Sequence, residues 1–343
     1  MRKRFVSLVL GAFTTAALLS GCSDSTSSNG ADSGSESDSK EKYSISYSTW
    51  ANPGEPAYSG MEKFKEIVEE KTDGNIEVEL FPGNQLGATA EQMEQVKLGT
   101  IEMMSSGDPG MMEIEYLSLP YLMKSNAHWM HVMDSEIGKE WNDKLVSDMG
   151  VRNIGILPRG PRVISANKEI KTPEDMKGLK LRAPARDYYV QTFEALGSNP
   201  TPMDFGEVYS GLQTGIVDGQ ENPLETFHAA GFQEVQTYII NSNHMFKPAF
   251  VTINEEFFQG LSKEYQDILL EAAKESQAYS EEKLSESEQS MVEELESAGV
   301  TFVDPDIDAF IEATQPVRDS LGKEMWGEEV YQQIVEMGKA DLN

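Results

Sequence analysis

Apolar residues recur with two alternating periods in the region that follows residue 42. The segments YSISYS (43–48) and GNIEVELFP (74–82) alternate apolar and polar residues, which predicts half-buried strands. YSGMEKFKEIVEE (58–70) has apolar residues at helical spacing, AEQMEQVKLG (90–99) reads as a helix that stops at its glycine, and TIEMMSS (100–106) as a strand. Strands that alternate with helices predict a largely parallel sheet, which binds ligands at the carboxyl ends of its strands.

A second region of the same kind begins near residue 151. VRNIGIL (151–157) and LKLRAP (179–184) are predicted strands, and the second is ended by its proline. KTPEDMKG (171–178) is predicted to be a compact helix, because it combines a capping threonine, a proline at the first helical position and a final glycine. DYYVQTFEALG (187–197) and FGEVYSGLQTG (205–215) are predicted helices.

The stretch LQTGIVDGQENP (212–223) places a polar segment after a short apolar one. The predicted helix ends at Gly215, Ile216 and Val217 begin a predicted strand, and five polar or glycine residues precede Pro223. This pattern fits an ordinary turn, and it also fits a strand end that faces a ligand.

Residues 261–298 contain no proline or glycine and are rich in Glu, Lys, Ala and Leu. These residue types favour helix, and one continuous helix of this length would extend about 57 Å at ~1.5 Å per residue. Such a helix could run across two domains. Two helices joined by a bend are the alternative.

The first 21 residues are predicted to be a lipoprotein signal peptide. Three basic residues precede an apolar stretch at 5–19, and the sequence LSGC then ends at Cys22 in the order of a bacterial lipobox. Cys22 is the only cysteine, so we expect lipidation there and no intrachain disulfide. A plain signal peptide with a chance cysteine is the alternative. The polar composition of 22–42 predicts a disordered tether.

The chain is strongly acidic, with a formal net charge of -30. This charge argues against binding to nucleic acid or to anionic lipid, both of which require clustered Lys and Arg. It favours a protein that self-repulsion keeps soluble and monomeric. Anion binding by such a protein requires a local concentration of its few basic residues.

No motif in the sequence requires catalysis, and we predict that the protein is not an enzyme and has no cofactor. There is no G-x-S-x-G elbow, no Walker loop, no H-E-x-x-H and no cysteine pair. His128 and His131 have the spacing of a metal pair but no third ligand near them, so imidazoles on a helix surface are favoured and no metal is expected. His228 and His244 are interpreted as structural.

Four arginines lie close together in this acidic chain: Arg159, Arg162, Arg182 and Arg186. Arg182 ends a predicted strand, where its guanidinium can hold a carboxylate through two parallel hydrogen bonds. Pairing with one of the many acidic side chains is the alternative.

Four segments now indicate a family. TPEDMKGLKLRAP (172–184) and ALGSNPTPMDFGEVYSGLQTGIVDGQENP (195–223), with NQLG (84–87) and SLPYLM (118–123), resemble the DctP-type substrate-binding proteins of TRAP transporters. The resemblance runs from about Tyr43 to the C-terminal region.

The resemblance implies an α/β, two-domain, periplasmic-binding-protein-like (type II) fold, with a ligand cleft between the domains and a long domain-spanning helix. On this sequence, domain I is expected at 43–159 with roughly 248–285. Domain II is expected at 160–247 with roughly 286–335, and the spanning helix at 261–298.

The resemblance also implies the ligand site. Arg182 matches the arginine that holds the ligand carboxylate, and Arg162 matches a second family arginine. Asn222 matches the asparagine of the QENP motif, and Phe205 an aromatic residue that lines the pocket. Gln220 is expected to be structural, as is Glu221.

From the first domain, Trp50 and Asp108 fall where family members contact the rest of the ligand. Two residues of this chain complicate the ligand site that the resemblance implies. Arg159 competes with Arg162, and Asp187 could neutralise Arg182, which would favour sugar hydroxyls as ligand groups.

The implied function is capture of an organic acid, either a sugar acid such as a uronate or a C4-dicarboxylate, by domain closure. Delivery would be to one small and one large TRAP membrane subunit for sodium-coupled uptake. Lipid anchoring would place the protein on the outer face of a single-membrane bacterium. The alternatives are a zwitterionic osmolyte such as ectoine as the ligand, a sensor kinase as the partner, and a secreted hydrolase, for which no nucleophile is evident.

Overall fold

The computed structural model describes residues 42–339. The predicted signal peptide at 1–21 and the lipidation point Cys22 lie outside the described residues, as does the predicted tether at 22–42 except its last residue. Among the described residues, no helix is both long and apolar enough to cross a membrane.

Strands and helices alternate along most of the described chain. The strands are β1 (Tyr43–Thr49), β2 (Ile76–Phe81), β3 (Met103–Ser106), β4 (Val151–Leu157), β5 (Arg162–Ala166), β6 (Lys180–Ala183), β7 (Asn199–Pro202), β8 (Gly219–Pro223), β9 (Tyr238–Met245), β10 (Ala249–Asn254) and β11 (Thr301–Val303). The helices are α1 (Pro56–Lys71), α2 (Thr89–Lys97), α3 (Met112–Glu115), α4 (Asn126–Asp134), α5 (Glu136–Met149), α6 (Asp187–Ala195), α7 (Val208–Gln213), α8 (Leu224–Ala229), α9 (Glu255–Gly260), α10 (Lys263–Ser297) and α11 (Ile307–Met337), the last kinked at Gly327.

The strands form two sheets, which confirms the predicted α/β architecture. The first sheet has the order β2-β1-β3-β10-β4, and the second has the order β11-β9-β5-β8-β6-β7. We call each sheet, with the helices that pack on it, a lobe. The division at residues 159 and 160 remains a prediction, although β4 and β5, which flank it, lie in different sheets.

Both sheets are mixed, so the expectation of largely parallel sheets holds only for part of each. β1 pairs in parallel with β2 and β3, and β6 pairs in parallel with β7 and β8. β10 is antiparallel to both of its neighbours, and β5 is antiparallel to both β8 and β9. β5 and β10 directly follow crossings between the two sheets, so each enters its sheet from the other lobe and against the local strand direction.

The long helix α10 is continuous and connects the two lobes, as predicted. In its first half, Tyr265 and Leu269 pack in the apolar core of the first lobe with residues of β1 and β2. In its second half, Met291 and Leu295 pack in a core of the second lobe with Phe227. The bend that the sequence left open is absent from this helix.

The predicted apolar faces are buried. Met61, Phe64 and Val68 of α1 are buried in the first lobe, and so are Ile76 and Val78 of β2. Hydrophobic periodicity thus identified both the element types and their inward faces.

The strand predicted from Ile216 onward begins later than expected. Ile216 is exposed, Val217 is buried, and β8 consists of the polar segment Gly219–Pro223, which is buried throughout. Gly219 lies in this strand, where an added Cβ would collide with the Ser165 carbonyl oxygen of β5. This central strand can bury polar side chains because they bond to one another, as described below.

Two smaller expectations also need correction. The compact helix predicted at 171–178 is a single 3-10 turn at Pro173–Met176, although the Asp175 carboxylate accepts from the Thr172 N–H as the capping pattern predicts. His128 is not on a helix surface. It is buried, and its Nε2 lies 2.8 Å from the Ile334 carbonyl oxygen.

Candidate functional site

A cavity of about 420 Å³ lies where strand ends of the two sheets meet. From the first lobe it is lined by Trp50, which follows β1, and by Gly107 and Asp108, which follow β3. From the second lobe it is lined by the segments that follow β6 and β7, and by Asn222. Carboxyl ends of parallel strands are the expected ligand position in such folds.

This cavity brings together all six residues that the sequence nominated for ligand binding, as well as all four arginines. The six are Trp50, Asp108, Arg162, Arg182, Phe205 and Asn222, and the cavity wall also includes Arg159 and Arg186. A larger cavity of about 710 Å³ is also lined by Arg159. Its wall has four acidic residues and Arg159 as the single arginine, so the smaller cavity is the candidate anion site.

Arg182 is buried at the carboxyl end of β6 without an acidic partner. Its Nε donates to the Met203 carbonyl oxygen at 2.9 Å, and no carboxylate of residues 42–339 lies within 4.0 Å of it. Burial lowers the pKa of Arg182 to about 10, despite the raising effect of Glu221 nearby. An unpaired buried guanidinium is costly, and it is suited to bind an anion that enters the cavity.

Arg162 is in the opposite situation, because Glu221 neutralises it. Its Nε and Nη2 donate to the two Glu221 carboxylate oxygens at 2.5 and 2.7 Å, and Nη2 also donates to Asn222 Oδ1 at 3.0 Å. Burial would raise the pKa of Glu221, but Arg162 and His244 lower it to about 2. Glu221 is therefore structural, as expected.

The polar residues of β8 complete this network. Asn222 Nδ2 donates to Gln220 Oε1 at 2.6 Å, and Gln220 Nε2 donates to Ser165 Oγ at 2.9 Å. His244 lies 3.3 Å from Glu221 and is buried, consistent with the structural role assigned to it. Arg162 and Asn222 thus line the cavity but have partners within the protein.

Asp108 also lines the cavity, and it pairs with Arg186 of the opposite lobe. Arg186 Nε additionally donates to Glu115 Oε2 at 3.0 Å. Burial would raise the pKa of Asp108, but the Glu115 side chain, Arg186 and Lys247 lower it to about 2. Burial and the adjacent Asp108 raise the pKa of Glu115 to about 7.

Asp187 does not neutralise Arg182. It is exposed and outside the cavity wall, and the acids that act on Arg182 are Glu221 and Asp204. Asp187 therefore gives no indication that the ligand carries sugar hydroxyls.

Arg159 belongs to a buried network between the lobes. Its guanidinium lies over the Trp50 ring at 4.8 Å, and its Nη2 donates to Thr226 Oγ1 at 2.7 Å. Thr226 in turn donates to Glu55 Oε2 at 3.0 Å, and Glu225 lies 3.8 Å from Arg159 Nε. Burial lowers the pKa of Arg159 and raises those of both glutamates. Arg159 enters the cavity, but acidic side chains already surround it.

The cavity wall also contains Lys247 and Tyr189, which were not found from the sequence. Lys247 lies between β9 and β10 and is buried, and Tyr189 of α6 lies near it, with the Lys247 Nζ 5.6 Å from the Tyr189 ring. A lone lysine in the segment HMFKPAF carries no periodic signal that would reveal its burial. Phe205, by contrast, was found through its motif, and it packs edge-on against Phe232 at 6.1 Å.

Among residues 42–339, no group of three or more His, Cys, Asp or Glu side chains is arranged to hold a metal ion.

Comparisons with known proteins agree with this geometry. The sequence model of the bacterial extracellular solute-binding proteins, family 7 (DctP), matches residues 47–324. The 2,3-diketo-L-gulonate-binding periplasmic protein of Escherichia coli is 33% identical over 270 residues, 77% of this chain and 82% of that protein. The C4-dicarboxylate-binding periplasmic protein of Rhodobacter capsulatus is 30% identical over 295 residues, 83% of this chain and 88% of that protein.

A solved structure is also similar over nearly its whole length. It is a TRAP periplasmic solute-binding protein from Roseobacter denitrificans with bound L-galactonate, and it has a TM-score of 0.79 and 33% sequence identity. The similarity covers 87% of this chain and 99% of that chain.

Proposed function

Because the chain belongs to the DctP family of TRAP transporter solute-binding proteins, we propose that it captures a carboxylate-bearing organic acid between its two lobes. The family and its structural neighbours are extracytoplasmic binding proteins of transporters, not enzymes. The observation that carries the proposal is Arg182, a buried cation at the cavity wall without an acidic partner among the described residues.

The ligand class follows from this cation and from the relatives. The three proteins named above bind, by their names, 2,3-diketo-L-gulonate, a C4-dicarboxylate and L-galactonate, which are all organic acids. The ligand of this chain is a sugar acid, including uronates, or a C4-dicarboxylate. A ligand carboxylate at Arg182 gains hydrogen bonds to a charged donor, each worth about 1.5–3 kcal/mol.

The other cavity residues have complementary roles in this proposal. Arg162 and Asn222 contact the carboxylate through N–H groups that are not used in their hydrogen bonds to Glu221 and Gln220. Phe205 and Trp50 form the aromatic walls, and Asp108 contacts the remainder of the ligand from the first lobe.

Capture occurs by closure of the two lobes. The crossings between the sheets bend while each core stays packed, and the ligand stabilises the closed form by contacts with both lobes. We infer that the lobes correspond to the predicted domains, at 43–159 with roughly 248–285 and at 160–247 with roughly 286–335. The helix α10 packs in the cores of both lobes.

The closed, ligand-bound form docks on one small and one large TRAP membrane subunit, which carry out sodium-coupled uptake. The protein itself is a monomer, which its strong net charge favours. It is anchored through lipid at Cys22, after removal of 1–21, to the outer face of a single-membrane bacterium, and 22–42 serves as the tether.

The ligand test is a thermal-shift screen on protein refolded to remove any bound ligand. The panel contains dicarboxylates, uronates, aldonates, amino acids and ectoines. A shift confined to acids and lost in Arg182→Ala supports the proposal. A response to ectoine alone would favour the osmolyte alternative, and an acid response that survives in Arg182→Ala would overturn the assignment.

The anchor has a separate test. In the native host, we expect the wild-type protein in the membrane fraction and Cys22→Ser in the soluble fraction. A membrane-bound Cys22→Ser variant would contradict lipidation at that position.

A further inference from the structure

Four charged side chains from both lobes lie together at the candidate site, and we call them the charged cluster. They are Asp108, Glu115, Arg186 and Lys247. Asp108 and Glu115 come from the segment after β3, whereas Arg186 follows β6 of the other sheet and pairs with both acids. Asp108, Arg186 and Lys247 line the cavity.

Lys247 provides hydrogen-bond donors within this cluster. Its Nζ donates to Tyr188 Oη at 2.6 Å, and no carboxylate of residues 42–339 lies within 4.0 Å of it. An ammonium group has three N–H donors, so this bond leaves two for other partners. The stem of Lys247 passes against Gly107 in the cavity wall, where an added Cβ would touch its Cε at 3.4 Å.

The charged cluster differs from the Arg182 position in its charge balance. Asp108 and Glu115 of the cluster both pair with Arg186, whereas Arg182 has no acidic partner within 4.0 Å among the described residues. The cavity therefore has one position, at Arg182, with no carboxylate of residues 42–339 within 4.0 Å, and one where Asp108 and Glu115 already pair with Arg186.

Hydroxyl groups fit the charged cluster better than a second carboxylate does. A hydroxyl can accept from Lys247 and donate to Asp108, whose carboxylate has more acceptor positions than its bonds to Arg186 and Gly110 N use. A second carboxylate can only accept, and it would meet the like charge of Asp108 at close range.

We propose that the charged cluster makes this protein selective for acids with a single carboxylate and a hydroxylated tail. Lys247 donates to tail hydroxyls, Asp108 accepts from them, and the negative charge of Asp108 disfavours polyhydroxy diacids and C4-dicarboxylates. This inference rests on the proposed function, because Arg182 must hold the carboxylate at the other position.

The test compares acids that share a carbon skeleton and differ only in the second carboxylate. Calorimetric titration of the purified, ligand-stripped protein would use D-gluconate against D-glucarate, and D-galactonate and L-galactonate against galactarate. For each skeleton that binds, we expect the aldonate to bind at least tenfold more tightly than the aldarate. An aldarate or succinate that binds as tightly as the best aldonate would overturn the inference.

Variants connect the preference to the cluster. Asp108→Asn should reduce the ratio of the affinity for the aldonate to the affinity for the matching aldarate. Lys247→Met should weaken aldonate binding at least tenfold. Asp187→Asn is the matched control, because it removes an acid beside Arg186 that is exposed and outside the cavity wall. An unchanged ratio in Asp108→Asn, or wild-type affinity in Lys247→Met, would contradict the proposed contacts.

The two proposals fail in different ways. If no organic acid binds, or if binding does not depend on Arg182, the proposed function fails. If acids bind through Arg182 but diacids are preferred, only the selectivity inference fails. Thermal unfolding checks that each variant folds, and if one does not, the wild-type ratio alone decides.

Discussion

Replacing Arg182 by methionine should stabilise the empty protein and remove ligand binding at the same time. Burial lowers the pKa of Arg182 to about 10, well below the usual value of an arginine. At pH 7 the guanidinium is charged in both folded and unfolded chains, so the lowered pKa is a cost to the folded state. That cost is on the order of 3 kcal/mol, at ~1.4 kcal/mol per pKa unit.

Arg182→Met removes this cost and keeps an apolar side chain in the space. It also removes the donor to the Met203 carbonyl oxygen, and an unpaired buried acceptor costs about 1–3 kcal/mol. The free energy of unfolding of the ligand-free protein should therefore rise by between zero and about 2 kcal/mol. Two lost hydrogen bonds to the carboxylate should weaken ligand binding about 100-fold.

Chemical denaturation with and without ligand measures both effects. At 100 times the wild-type dissociation constant, the ligand should stabilise the wild-type protein by about 2.7 kcal/mol and Arg182→Met by only about 0.4 kcal/mol. Arg152→Met is the matched control, because Arg152 pairs with Glu255 at 2.7 Å outside the cavity wall. It should lower stability and keep the full ligand effect. A full ligand effect in Arg182→Met would refute the carboxylate assignment, and a loss of stability larger than that of the control would refute the unpaired-cation argument.

Three further predictions test other parts of the site. Glu221→Gln leaves the charge of Arg162 buried without its partner, so the free energy of unfolding in urea should fall by about 3–5 kcal/mol; a loss below about 1 kcal/mol would show that the pair is not structural. Because the folded-state pKa of Glu115 is raised to about 7, its carboxyl stabilises the fold fully only below its ordinary pKa and loses this effect as pH rises through 7. Glu115→Gln should therefore gain stability relative to wild type between about pH 4.5 and 7, and a constant difference across that range would contradict the shift. Trp50 lies in the cavity wall beneath Arg159, so ligand should change tryptophan emission, and Trp50→Phe should remove most of that change; an undiminished change would place the ligand elsewhere.

The order of elements could be predicted because hydrophobic period depends on neighbouring residues along the chain. The helical spacing of Met61, Phe64 and Val68 and the alternation of Ile76 and Val78 identified the buried faces of α1 and β2. The uninterrupted composition of 261–298 identified α10 to within a few residues. Strand direction was not predictable, because β10 joins the first sheet only after the chain has built most of the second.

Hydrophobic periodicity predicted the wrong position for the strand β8. The apolar pair Ile216 and Val217 marked the expected strand, yet the strand is the polar segment that follows. Its side chains are buried because Arg162 of the neighbouring strand bonds to Glu221 and Asn222. Such partners are about 60 residues apart in sequence, and no local pattern indicates them.

Local periodicity and motifs along the chain were sufficient to predict the α/β class, the long helix and a short list of residues that converge on one cavity. Which of the four arginines lacks an acidic partner depends instead on the tertiary structure. Arg159, Arg162 and Arg186 face acids supplied by other elements, whereas Arg182 has none within 4.0 Å among the described residues. Burial and charge pairing depend on distances in space, so the same four arginines that look equivalent along the chain become chemically distinct once it folds.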